Sequence, residues 1–240
     1  MKEKDQKDYV AAFIPARYNS VRLPGKLLMR VGDKSILQHV YDQVKQCKLI
    51  DQVTVVVDHD LLEKESIRMG AETIRSQQNF TCGTDRCIAA IQHTVTADYL
   101  INVQADQPHI DPEIIDHLVE ILKSDKSIDI ASLCTTTRCE DTSSDVVKVS
   151  IDPSGNASDF YREAPLDIEV YQHIGVYGFR KRAYEQIRKL EPTYREDKLR
   201  LEQLRWLDHD LNIKMIKVDH QPISVDTKSD LLMLQEQYDY

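Results

Sequence analysis

Arg17, Arg22 and Lys26 fall within ten positions of one another in the segment IPARYNSVRLPGK, where Pro24 and Gly25 force a turn just before the last cation. A basic, turn-rich loop that directly follows a buried strand suits a polyphosphate. The cations neutralise it while exposed backbone N–H groups donate to its oxygens. The loop is not a Walker A motif, which needs a glycine where Ser20 stands and a hydroxyl residue where Leu27 stands. Any phosphate grip here uses another geometry.

Two carboxylates have the setting of metal ligands. Asp106, in VQADQP, lies just past the apolar run Tyr99–Val103, at the strand edge where ligands collect in open α/β sheets. A hard cation takes carboxylate oxygens together with waters and substrate phosphates, so one or two Asp suffice. Asp106 reads equally as a turn residue before Pro108. Asp226, in SVDTKSD, could be a second ligand, but Thr227 with Asp230 three positions on resembles a capping box, and Asp226 would then only favour a helix N-terminus. CGTDR, from Cys82 to Arg86, opens a helix whose N–H groups could hold a base edge or phosphate; an ordinary helix start explains it too. Arg162, His173, Tyr177, Glu202 and Gln203 are polar groups able to orient a hydroxylated acid, although a lone His in a strand is more often structural.

These residues need a scaffold, and the hydrophobic pattern supplies one. Apolar runs predict strands at Tyr9 to Ala16, Val53 to Val57, Glu72 to Ile74, Tyr99 to Val103 and Ile128 to Leu133. Between them, helical spacing predicts helices after an N-cap at Ser35, at about Leu61 to Met69, at Asp85 to Val95, and after Asp111 and Pro112. Strands and helices in alternation imply an α/β, Rossmann-like, mainly parallel sheet with helices on both faces. Past Cys139 the pattern loosens. Val146 to Ile151 and His173 to Phe179 read as strands around a polar stretch, so residues 140–195 are expected to form an insertion beside the site within a single domain of 1–240. One helix from Arg195 to Leu207, a strand from Ile213 to Val218 and a helix from Thr227 to about Tyr238 complete the chain.

A net charge of −9 with mixed signs gives no basic stripe for a phosphodiester backbone, so nucleic acid is not an expected partner. No apolar run reaches the ~20 residues a bilayer span needs. The start MKEKDQKDYV lacks the apolar core of a secretory signal, and the expected location is cytoplasmic. Five cysteines, an odd number, suit free thiols in a reducing compartment. The spacings Cys82–Cys87 and Cys134–Cys139 lack the knuckle or His of a zinc site.

Together IPARYNSVRLPGK, GTDR, VQADQP, VKVSID, HIGVYGFR, LEQLR and VDT resemble, in order and spacing, the CMP-Kdo synthetase (3-deoxy-manno-octulosonate cytidylyltransferase) family. The resemblance runs from about Val10 to the closing helix. It implies a nucleotide-diphospho-sugar transferase type of fold, and transfer of CMP from CTP to the anomeric hydroxyl of Kdo or a relative such as 8-amino-Kdo, with Mg²⁺ and release of pyrophosphate. The product would serve lipopolysaccharide or capsule precursors. It further implies that Arg17 and Lys26 hold the triphosphate and that Asp106 and Asp226 hold metal. Pro15, Ala16, Gly83, Thr84 and Arg86 would complete the nucleotide pocket, and Gln104, Arg162, His173, Tyr177, Glu202 and Gln203 would surround the sugar. A homodimer is expected, with the inserted region as sugar-binding and dimer surface. The chain departs from the family pattern at Ala105 and Gln107, where Gly and Glu are usual, at Tyr161 and Glu163 around Arg162, and at Cys82 in place of Ser. Alternatives are a cytidylyltransferase for a sialic-type acid, or a relative that binds nucleotide without turnover.

Overall fold

The computed structural model describes residues 7–20, 22–76, 78, 80–94, 97–220 and 223–238. The first half alternates as the pattern predicts. Strand β1 (Val10–Ala16) leads through a 3-10 turn (Lys26–Leu28) and a small hairpin, β2 (Arg30–Val31) and β3 (Lys34–Ser35), into helix α1 (Ile36–Val44). Then come β4 (Gln52–Val57), α2 (Asp60–Arg68), β5 (Glu72–Arg75), α3 (Gly83–Ile91), β6 (Tyr99–Val103) and α4 (Pro112–Ser124). The second half holds β7 (Ile130–Arg138), β8 (Lys148–Ile151), β9 (Ala157–Tyr161), β10 (Tyr171–Arg180), α5 (Lys181–Ile187), α6 (Tyr194–Leu199), α7 (Glu202–Asp208), β11 (Ile213–Val218) and α8 (Lys228–Tyr238).

The strands form one nine-stranded sheet in the order β11–β7–β10–β6–β1–β4–β5, with β8 pairing to β10 and β9. β5, β4, β1 and β6 run parallel, and β10 alone runs antiparallel between β6 and β7. Side chains of β1 alternate between two cores. Val10, Ala12 and Ile14 pack with α1 and α4 on one face; Ala11 and Phe13 pack with α3 and, through Trp206, α7 on the other. This period-2 split is what a sheet covered on both faces demands. No helix among the described residues is long and apolar enough to cross a membrane.

Three departures from expectation have physical causes. The helix expected from Arg195 to Leu207 is broken, because Arg200 adopts a left-handed φ of 54° and the chain restarts at Glu202. The 140–195 stretch divides: the β8–β9 hairpin stands off the main strand order, whereas β10 runs through the middle of the sheet. Helix α3 begins at Gly83, ahead of the expected Asp85, because the Cys82 sulfur accepts from Asp85 N at 3.5 Å and caps it; its expected end at Val95 lies outside the described residues.

Gly178 on β10 lies directly against α4. A Cβ there would lie 2.4 Å from both Leu118 Cδ2 and Leu122 Cδ1. Gly178→Ala is therefore expected to cost about 1–3 kcal/mol through overpacking, read as a lower urea midpoint with an unchanged slope. An unshifted midpoint would show that the α4–β10 contact is loose.

Candidate active site

The site begins where β1 ends. Gly25 takes a φ of 68°, a conformation that strains any residue with a Cβ, and so turns the chain sharply into the 3-10 turn. Its N–H donates to Tyr18 O at 3.0 Å. Tyr18 is itself fixed, its N–H on Asp58 Oδ1 at 2.9 Å and its ring stacked on His59 at 4.0 Å. Leu27 drops into the core and leaves the neighbouring Lys26 pointing along the sheet's carboxyl edge.

There Lys26 Nζ meets two carboxylates, donating to Asp106 Oδ2 at 2.7 Å and to Asp226 Oδ1 at 2.8 Å. The residues come from three distant parts of the chain. A backbone bond, Val225 N to Asp106 O at 2.9 Å, sets the two acids side by side. The capping question at Asp226 is also resolved. Asp230 accepts from the N–H groups of Asp226 and Thr227 at 2.9 and 2.7 Å, and Thr227 Oγ1 accepts from Asp230 N at 3.3 Å. Thr227 thus caps α8 with Asp230 closing the capping box, and the Asp226 side chain is left to turn inward.

Arg22 extends the cluster, with NH2 3.1 Å from Asp226 Oδ2 and NH1 2.5 Å from Asp145 Oδ1. Burial opposes the Lys26 charge, but Asp106 and Asp226 outweigh it and raise its pKa above the ordinary lysine value. Burial likewise opposes ionisation of Asp226, and Lys26 and Arg22 outweigh it and lower its pKa. Both shifts favour the charged forms of Lys26 and Asp226.

The remaining predicted residues fall into two groups. Arg17 is exposed and makes no side-chain bond or ion pair among the described residues. Gln104 fits between Gly83 and Gly175, whose missing side chain leaves room for it: a Cβ on Gly175 would lie 2.9 Å from Gln104 Cγ. Pro15 packs against Gly83 in the same way. Thr84 and Arg86, by contrast, are spent on the protein. Thr84 N donates to Glu202 Oε2 at 3.1 Å, and its buried hydroxyl accepts from Asn102 Nδ2 at 2.9 Å. Buried Arg86 donates to Ala16 O at 3.0 Å and reaches Asp58 Oδ2 at 3.2 Å, so it braces the start of the basic loop from behind. A cleft of about 610 Å³ along the outside of α3 includes Asp85 and Arg86 in its lining but none of Arg17, Lys26, Asp106 or Asp226.

On the expected sugar side, Tyr177 O–H accepts from Gln203 Nε2, and its ring meets Trp206 edge-on at 5.2 Å. Glu202 sits against Thr84 and Cys82, and burial raises its pKa. Arg162 donates to the carbonyls of Leu199, Ser144, Asp145 and Arg200, all at 3.3–3.4 Å. Burial, then the neighbouring Arg22, lowers its pKa. Lys148 joins it by donating to Ser143 O and, at 3.0 Å, to Arg162 O. Asp58 and Asp145 lie in none of the motifs, and Lys148 stands in VKVSID without a role having been expected for it. At the departures from the family pattern, Ala105 is buried in the core, and Gln107 is buried with no partner for Oε1 among the described residues.

Residues 11–215 match the family model for cytidylyltransferases. The chain belongs to the cytidylyltransferase family. The 3-deoxy-manno-octulosonate cytidylyltransferase of Pelobacter propionicus is 33% identical, with 95% of this chain and 97% of the relative covered. That of Rickettsia bellii is 36% identical, with 96% and 95% covered. A solved CMP:2-keto-3-deoxy-manno-octonic acid synthetase complexed with CTP matches this cytidylyltransferase with a TM-score of 0.88 at 28% identity, covering 97% of this chain and 99% of that one. The fold alone is shared with 4-diphosphocytidyl-2C-methyl-D-erythritol synthase from Anaerococcus prevotii, at 15% identity and a TM-score of 0.68, covering 97% of this chain and 99% of that one.

His173 gives this cytidylyltransferase a pH signature. Ser132 Oγ spends its one proton on Val176 O at 2.8 Å, so the 2.9 Å contact to His173 requires Nε2–H to donate and leaves the lone pair on Nδ1. Burial lowers the His173 pKa from 6.5 to about 3. The unfolded chain therefore binds the extra proton between those values, and stability falls as pH drops below 6.5. The loss attributable to His173 is expected to be about 2 kcal/mol between pH 7 and pH 5. Urea unfolding of the native protein should show this loss and His173→Gln should lack it; equal pH dependence in both would contradict the assignment.

Proposed function

We propose that this cytidylyltransferase transfers CMP from CTP to the anomeric hydroxyl of 3-deoxy-manno-octulosonate. The observation that carries the reading is the ion cluster itself. An ammonium held by one oxygen from each of Asp106 and Asp226, beside two arginines on a tight loop, is arranged for a triphosphate with a divalent ion. The two carboxylates already converge on a single cation, so they fit Mg²⁺, which keeps waters and takes further oxygens from substrate phosphates. Asp106 and Asp226 would hold it, and it would polarise the α-phosphoryl group and lower the pKa of the attacking hydroxyl.

In the reaction the anomeric oxygen bonds to the α-phosphorus, the bond to the bridging oxygen breaks, and pyrophosphate departs with the electron pair while the hydroxyl proton passes to solvent water. This asks for charge neutralisation and alignment more than for a protein nucleophile. Arg17 faces solvent ready for the outer phosphates, and Lys26, kept charged by its neighbours, serves the leaving pyrophosphate. Ala16, Pro15 and Gly83 shape the base pocket, while Thr84 and Arg86 position it from behind. Gln104, Glu202, Gln203 and Tyr177, with Nδ1 of His173, are assigned to sugar hydroxyls. The bonds of Arg162 to four carbonyls are long enough for a sugar carboxylate to replace some of them. Gln107, whose amide nitrogen lies beside Gly175 and whose buried Oε1 has no partner among the described residues, favours within this class an acid that brings an extra donor such as an amino group.

The reading includes the cytoplasm as the place of action and a homodimer as the working form. For the dimer, the support is Leu166 and Ile168, exposed in the segment joining β9 to β10. The test is pyrophosphate release with CTP, Mg²⁺ and a panel of 2-keto-3-deoxy acids, with and without amino groups. Release is expected only when all three components are present; none with any acid would overturn the reading. Asp106→Asn is expected to lower kcat by at least about a hundredfold while leaving Tm within a few degrees, since Lys26 keeps Asp226 as a partner. Unchanged turnover would remove Asp106 from the reacting centre.

A further inference from the structure

Two of the three cations of the basic loop are seated on the carboxylates assigned to metal. Lys26 takes Asp106 Oδ2 and Asp226 Oδ1, and Arg22 takes Asp226 Oδ2. Of the four oxygens on the two acids, these three are engaged by protein cations. A divalent ion needs carboxylate oxygens at about 2.0–2.1 Å for Mg²⁺, in the space where the ammonium now lies between the two acids. The ammonium and a divalent ion cannot share that space, because both are positive and both need the same oxygens.

Lys26 also cannot simply withdraw. Its side chain is only 9% exposed, so little water is available to solvate it. Leu27, in the core, and the 3-10 turn hold its backbone. The ammonium can leave Asp106 and Asp226 only for another anion brought to the same place. Arg22 is a weaker hold. It is 40% exposed, and its second partner, Asp145, is 63% exposed, so water can replace either contact.

Resting on the reading that Asp106 and Asp226 hold metal, we propose that Lys26, assisted by Arg22, is a built-in counter-ion that keeps the divalent cation out until a triphosphate draws it away. Metal and nucleotide are then strongly coupled: phosphate oxygens take over the ammonium at the moment the metal takes over the carboxylates. The free protein discriminates against bare metal, and the metal enters together with nucleotide.

The test is Mn²⁺ binding to the full chain without nucleotide, followed by the loss of the free-ion electron paramagnetic resonance signal. The native protein is expected to bind Mn²⁺ weakly. Lys26→Met is expected to bind it at least about tenfold more tightly, within the usual range of site-to-site coupling, and Arg22→Gln to show a smaller gain. Adding Asp226→Asn to Lys26→Met should abolish the gain, which places the ion on that carboxylate. Should Lys26→Met fail to fold, Arg22→Gln decides alone: tighter Mn²⁺ supports the coupling and unchanged affinity overturns it. Tight Mn²⁺ binding by the native protein without nucleotide would overturn the coupling while leaving the metal reading intact. No Mn²⁺ binding by any of these proteins, with or without CTP, would overturn the coupling and the metal reading together.

Discussion

One ammonium group between two carboxylates is the constraint on which the rest of the site depends. Lys26 lies 80 residues from Asp106 and 200 from Asp226, yet its nitrogen donates to both within 2.8 Å. The cluster depends above all on this lysine, whose side chain is almost wholly shielded from water while both acids are partly exposed. Removing the lysine would strand two partly buried negative charges, and losses of about 3–5 kcal/mol are typical when a buried ion pair is broken that way. The fold must therefore bring three chain segments to one point with little freedom, and most of the local devices near the sheet edge serve that end.

Those devices are largely backbone and buried polar contacts. Gly25 turns the loop, Tyr18 receives it, and Arg86 braces Ala16 from the rear. Val225 pins Asp226 to the carbonyl of Asp106, and the Thr227–Asp230 capping box relieves Asp226 of capping duty. On the far side of the cluster, Arg162 and Lys148 gather the carbonyls of Ser143, Ser144 and Asp145, which presents Asp145 to Arg22. A continuous polar path thus runs from the α6–α7 turn, through Arg162, to the basic loop. The apolar cores on both faces of the sheet hold the strands that carry it.

The strands buried on both faces were legible in the sequence. Tyr99–Val103 and Ile213–Val218 appear where their apolar residues place them, because burial of both sheet faces writes directly into composition. Helix starts at Ser35 and Asp111 were equally plain, since side-chain caps are local. Less legible were elements decided by distant partners. The break at Arg200 lets Glu202 face Thr84, and the continuous charged pattern from Arg195 to Leu207 carries no mark of it. Strand β9, with the sequence ASDFY, and helix α5, short and charged, have patterns too brief to stand out. At the site, motif spacing and family resemblance pointed to Lys26, Asp106 and Asp226. Their mutual contact, the bracing roles of Thr84 and Arg86, and the part of Asp145 are long-range facts that emerge only from the fold.

Lys26 serves the two acids when the site is free and, in the proposed cycle, the phosphates when it is filled. Electron density for crystals grown with CTP and Mg²⁺ tests this most directly. Density is expected for a metal touching Asp106 and Asp226, with the Lys26 ammonium moved onto a phosphate oxygen. CTP bound with Lys26 still between the two carboxylates, and no metal on either, would contradict it.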